Sequence, residues 1–186
     1  MTAGTNPSAE FARELTAAIP GLRAFGISLS MKADRADDLV QETMLKAWKH
    51  HGSFEPGTNM KAWLYTILRN EFYSQIRKRK REVEDAEGAI AGRVAVEGNQ
   101  MSHLELSDMK KALAQLPEDQ REAIILVGAS GFSYEEAADI CQVAVGTIKS
   151  RVSRARLRLN EILGLGQADA KRQDSVSDDT KHLSAA

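Results

Sequence analysis

The sequence predicts an all-α protein made of two small helical domains joined by a flexible acidic linker. Three observations carry that expectation. Ala, Leu, Glu, Lys and Arg are plentiful, aromatics make up only 5% of the chain and Pro is rare. Apolar residues recur at helical spacing in two separate stretches, and no stretch alternates as a strand would. Between the two stretches the composition turns acidic and Gly-rich. With 186 residues, each half is long enough for a modest core.

Residues 1–8 lack apolar periodicity and read as a disordered tail. The first domain is expected over residues 9–81. Phe11, Leu15, Ile19, Leu22, Phe25 and Leu29 follow helical spacing. DRADDLVQETMLKAWKHH opens on acids and reads as the next helix, carrying Leu39, Thr43, Leu45 and Trp48. GSFEPGTN is a loop by its Gly, Pro and Asn content, and NMKAWLYTILRNEFYSQIRKRKRE is a long third helix. Residues 82–104 form the acidic linker, with Arg93 as the one base among Glu82, Glu84, Asp85, Glu87 and Glu97. That linker is either solvated charge or a shield for neighbouring basic faces.

The second domain is expected over residues 105–163, followed by a disordered tail over 164–186. LSDMKKALAQL is amphipathic. PEDQREAIILVGA starts with Pro and acids, as helix starts prefer. Ser133 and Glu136 have the spacing of a capping box opening a short helix to about Ile140. CQVAV turns the chain into GTIKSRVSRARLRL, completing a helix-turn-helix pattern.

That last helix is the strongest functional signal. It concentrates Lys149, Arg151, Arg154, Arg156 and Arg158 without an acid, although the protein holds 25 basic and 26 acidic side chains. At about 100° per residue, Ile148, Val152, Ala155 and Leu159 form a core stripe. Thr147, Arg151, Arg154 and Arg158 line one flank, Lys149 and Arg156 stand opposite, and Ser150 and Ser153 lie between. Cations on both walls and small polar groups on the floor suit a DNA groove. Thr147, Ser150, Arg151 and Arg154 are the candidates for base or near-base contact, and Lys149, Arg156 and Arg158 for phosphates. The bland alternative, a solvated cationic face, leaves the mutual repulsion uncompensated.

The third helix repeats the theme. Met60, Trp63, Leu64, Ile67 and Leu68 form its core stripe, with Tyr65, Phe72 and Ile76 widening the apolar surface. Thr66, Arg69, Asn70, Tyr73 and Arg77 make a polar face containing an aromatic, and RKRKR closes the helix. Aromatics among cations can stack on unpaired bases while the cations follow the backbone. Tyr73 is equally well read as an ordinary surface residue.

Other chemistry is not signalled. Cys141 excludes an internal disulfide, fits a reducing compartment and reads as a small buried hydrophobe. His50, His51, His103 and His182 have no convergent ligands, so no metal or cofactor is expected. No phosphate loop, nucleophile elbow or triad pattern appears, and no enzyme is indicated. The longest apolar run, AIILVGA, is too short to span a bilayer, and no signal peptide opens the chain; a cytoplasmic protein is expected.

These residues together resemble an extracytoplasmic-function (ECF) sigma factor of the sigma-70 family. DDLVQETMLKAW is similar to region 2.2, NMKAWLYTILRNEFYSQIRKRKR to regions 2.3 and 2.4, and residues 116–159 to region 4. FEPGTN and RNEFYSQ further resemble the EcfG-like general-stress subgroup. The resemblance implies a non-enzymatic factor that joins core RNA polymerase and directs it to stress-type promoters. It implies that Asp38, Gln41 and Glu42 dock on the β′ coiled coil. Phe54 and its loop, with Asn70, would hold a base flipped from the −10 element, and Thr66, Arg69, Tyr73 and Arg77 would share the −10 reading. The second domain would read the −35 duplex. A surface around Ala123 to Leu126 and Ile140 is either a β-flap contact or core. An anti-sigma factor of the NepR type is the implied inhibitor. Ser74 stands where many relatives carry Asp, and Ala144 removes the usual side-chain cap before the basic helix. The alternative is a sigma mimic that binds an anti-sigma factor and never touches DNA, which would have no need of RKRKR or SRVSRARLR.

Overall fold

Local sequence signals set where each helix begins and ends in the computed structural model, which describes residues 7–85 and 104–164. Ser8 caps the first helix, its hydroxyl accepting from the Phe11 amide at 3.1 Å, and α1 runs Ala9–Ala17. The apolar series from Phe11 to Leu29 does not stay on one helix. Pro20 cannot continue α1, so the chain breaks at Ala18 and restarts as α2, Ile19–Ser30. The third element, α3, is Ala33–Lys49, and a short 3₁₀ turn at His51–Ser53 leads into the loop. Asn59 then caps α4, Met60–Asp85, by accepting from the Ala62 amide at 3.1 Å. The helix thus continues past the basic run instead of ending with it.

Two close approaches explain the glycines of α2. A Cβ at Gly26 would stand 3.1 Å from the Ala36 Cβ, so α2 and α3 cross there almost backbone to backbone. A Cβ at Gly21 would stand 2.8 Å from the Tyr65 hydroxyl, so α4 needs that gap as well.

The second region comprises α5 (Leu104–Ala114), α6 (Glu118–Ile124), α7 (Tyr134–Cys141) and α8 (Val145–Leu163). The apolar run after α6 was expected to remain α-helical. It widens instead to a π-helical turn over Ile125–Ala129, with the Ser130 amide donating to the Ile125 carbonyl at 2.8 Å. The capping box is formed as expected: Ser133 Oγ accepts from the Glu136 amide and Glu136 Oε2 from the Ser133 amide. Ala144 gives α8 no side-chain cap. Ile148, Val152 and Ala155 are buried and Leu159 half-buried, as the wheel requires.

The two regions are not separate bodies. One apolar core runs from Phe11, Phe25 and Leu64 through Phe72 to Leu126, Phe132, Ile140 and Val152. At its centre Phe25 stacks on Tyr65 (4.8 Å between centroids), and Phe132 meets Tyr65 edge-on at 4.9 Å. Among the described residues no strand occurs and no helix is long and apolar enough to cross a membrane. The acidic linker and both tails fall almost wholly outside the described residues, and with them the idea of a shielding linker.

Candidate nucleic-acid interface

Helix α8 presents its cations outward. Ser150, Lys149, Arg154, Arg156 and Arg158 are exposed, and Thr147 and Arg151 are half-buried. Internal contacts pre-set several of them. Arg154 reaches back to the Ser150 carbonyl and hydroxyl, both at 3.2 Å, while that hydroxyl donates to the Thr147 carbonyl at 2.9 Å. Lys149 lies over the Tyr134 ring at 5.9 Å. Arg151 differs from the rest, because its Nε is 3.1 Å from Asp119 on α6 and its side chain is only 19% exposed. It therefore braces the helix-turn-helix as well as lining the face.

The polar face of α4 is arranged differently. Arg77 and Asn70 are exposed and Thr66, which donates to the Ala62 carbonyl, is half-buried. Arg69 and Tyr73, however, turn toward the second region. Arg69 Nε donates to Glu122 Oε1 at 2.7 Å and Nη2 to Oε2 at 3.4 Å, and the guanidinium lies over the Tyr73 ring at 4.7 Å. The Tyr73 hydroxyl donates to the same carboxylate at 3.4 Å. Burial works against the Arg69 charge, yet the Glu122 carboxylate outweighs it and holds the guanidinium above its ordinary range. Burial, and then the same carboxylate, raise the Tyr73 phenol, so it stays a neutral donor.

Phe54 and Asn70 line different hollows. Phe54 borders one with Phe11, His51, Thr58 and Met60, and Asn70 borders another with Lys46, His50, Trp63, Glu71 and Arg77. Trp63 connects them, its ring 5.3 Å from that of Phe54. The floor of the Asn70 hollow is fixed by Lys46, which donates to Glu71, and by Gln75, which donates to Glu71 at 2.8 Å. Burial pushes the Glu71 carboxyl up, and these bonds more than reverse it, leaving the group below its ordinary range.

On α3, Asp38 and Gln41 are exposed and Glu42 is half-buried beside Lys46 at 3.7 Å. Leu45 and Trp48, expected within the helix pattern, point outward at 65% and 45% exposure. With Ile19, Val40 and Met44, Leu45 lines an open apolar groove of about 590 Å³ next to Gln41. Such an apolar patch, shared by α2 and α3, is what a docking surface requires. Ala123, Leu126 and Ile140 are instead almost fully buried, which favours the core reading of those residues.

The chain matches Sigma-70 region 2 over residues 18–82 and Sigma-70, region 4 over residues 106–159. It is 58% identical over 167 residues to the ECF RNA polymerase sigma factor EcfG of Rhodopseudomonas palustris (strain TIE-1), a match covering 90% of each chain. The chain belongs to the ECF RNA polymerase sigma factor family. The sigma factor RpoE of Bartonella quintana, solved in complex with the anti-sigma factor NepR, superposes with a TM-score of 0.75 at 62% identity, covering 84% of this chain and 98% of that one. CnrH, solved in complex with the cytosolic domain of CnrY, superposes at 0.62 with 25% identity, covering 83% and 88%. As a sigma factor, the protein works with core RNA polymerase on promoter DNA.

Sequence reasoning missed Arg121 and Glu122. Both are charged and both are buried, at 8% and 1% exposure. Arg121 crosses to α2, donating to the Ser28 carbonyl at 2.8 Å and the Leu29 carbonyl at 3.5 Å, where the helix end leaves carbonyls without partners. A signal existed. Glu122 precedes Leu126 by four residues, so a wheel places a carboxylate on the core face, where it demands a cation. Cys141 is buried, as expected, and burial pushes its thiol up to about 12.

Proposed function

We propose that this sigma factor recognises stress-type promoters at two places, with residues 9–81 and 105–163 as the two reading domains. Helix α8 reads the −35 duplex from the major groove through Thr147, Ser150, Arg151 and Arg154, with Lys149, Arg156 and Arg158 on phosphates. Phe54, Thr66, Arg69, Asn70, Tyr73 and Arg77 take the −10 strand, where extracting a base from the stack favours easily melted steps. Asp38, Gln41 and Glu42, beside the apolar groove of α3, dock on the β′ coiled coil. A NepR-type anti-sigma factor covers the same helix, and the protein acts in the cytoplasm with no chemistry of its own.

The observation that carries this reading is the cationic surface that α8 turns outward over residues 146–159, a stretch with no acid of its own, on a helix-turn-helix. Run-off transcription with purified core polymerase tests it. Arg154→Ala lowers promoter-directed transcript while core pull-down is unchanged, and Asp38→Ala or Glu42→Ala weakens core pull-down and lowers transcript with it. Loss of core binding by Arg154→Ala contradicts the assignment.

A further inference from the structure

The contact between the two regions uses groups that the previous section assigns to promoter reading, and the inference drawn here rests on that assignment. Arg69 offers its Nε and Nη2 to both oxygens of Glu122, and Tyr73 offers its hydroxyl to one of them. The Nε–Nη2 edge of a guanidinium donates to a carboxylate or a phosphate with the same geometry, and that edge cannot serve both at once. Glu122 is 1% exposed and Arg69 16% exposed at the side chain, so the pair is largely withdrawn from the surface.

The surrounding contacts suit a joint that opens. Asn59 donates to Glu136 at 2.6 Å, Lys61 donates to the Ser130 carbonyl, and Arg121 donates to two carbonyls of α2. Water can replace each of these partners when the regions part. The main apolar anchor is Phe132 against Tyr65, with Lys61 over the Phe132 ring at 4.8 Å. These polar contacts rim the apolar core that the two regions share, and an interface of such mixed character within one chain can separate.

We propose that Glu122 is an intramolecular latch, occupying Arg69 and Tyr73 so that the free protein is closed and blind to the −10 strand while its −35 face remains exposed. Opening releases the two side chains to the promoter. The apparent affinity for the promoter strand is then reduced by the fraction of molecules that are open.

The test uses the full chain with Lys61→Cys and Ser130→Cys, two positions that touch across the joint but not Glu122, Arg69 or Tyr73. Cys141, buried beside Glu122, is replaced by Ala in every variant, because opening of the joint would expose its thiol to the reagent. A short, reducible bis-methanethiosulfonate reagent should bridge the pair in the free protein. Bridged protein with core polymerase should lose at least about tenfold of its promoter-directed transcription, since the open fraction is removed. Reductant should restore it. Adding Glu122→Gln should slow bridging several-fold with helix content unchanged by circular dichroism, and should raise transcription at limiting sigma factor. Failure to bridge, a bridged protein that initiates as well as the reduced one, or a Glu122→Gln rate equal to that of the parent overturns the latch. If Glu122→Gln does not fold, the bridge with Glu122 intact decides alone. If reduced protein never initiates, the promoter assignment fails, and the bridging rates still report whether Glu122 holds the joint.

Discussion

Helices α4 and α8 carry similar cationic faces but spend them differently. On α8, Lys149, Arg154, Arg156 and Arg158 point to solvent, and among the described residues only Arg151 is committed to an acid, Asp119 of its own region. On α4, the central pair Arg69 and Tyr73 is folded into the contact with the other region through Glu122. A cation at the surface contributes little to stability and is free for a ligand. A cation in a buried pair is a structural element until the pair is broken. The same residue type in the same helical pattern therefore predicts opposite consequences on the two helices.

The largest effect should come from α4. Arg69→Ala leaves the buried Glu122 charge uncompensated, with the neutral Tyr73 hydroxyl still donating to it, and loss of the cation from a buried pair typically costs about 3–5 kcal/mol. Opening of the joint lets water reach the carboxylate and holds the loss near the lower end, about 3 kcal/mol or roughly 6–12 °C in melting temperature. Arg154→Ala should stay within about 0.5 kcal/mol by the same thermal melt. Equal losses from the two substitutions would erase the contrast. In transcription the order reverses its meaning: Arg154→Ala should reduce promoter-directed transcript by roughly 5- to 150-fold, the equivalent of about 1–3 kcal/mol for one good base contact. A smaller effect belongs to Arg158. Its replacement by Ala should lower the log–log salt slope of −35 duplex binding by about 0.9, the value for one phosphate contact. An unchanged slope would place Arg158 away from the backbone.

The smallest effect concerns Glu136, which joins the two regions through Asn59. The Ser133 amide, then the Asn59 side chain, hold its carboxyl below its ordinary range. Its contribution is present above its unfolded value and lost as pH falls through the lower folded value. The Ser133 amide, followed by NMR, should shift only at that depressed pH. A shift in the ordinary carboxylate range would show that the capping box does not persist in solution.

Much of this was legible locally. The stripe Ile148, Val152 and Ala155, the capping box at Ser133, and the long basic helix beginning beside Asn59 follow from spacing alone, because each depends on residues within about a turn of one another. Pro20 signals the break at Ala18, although the apolar spacing from Phe11 to Leu29 runs straight across it. The joint was not legible: Arg69 and Glu122 are 53 residues apart, and no period in either helix names its partner. The widened turn at Ile125–Ala129 likewise falls in a run of apolar residues that reads as plain helix. The outward Leu45 and Trp48 satisfied helical spacing, but spacing does not say which side of a helix finds a partner.

The most direct measurement is transcript start-site mapping with holoenzyme reconstituted from this protein and core polymerase. Defined starts at promoters sharing one −35 and one −10 element are expected, and they weaken when Arg154 is replaced by Ala. Starts no different from those of core polymerase alone would contradict the promoter assignment.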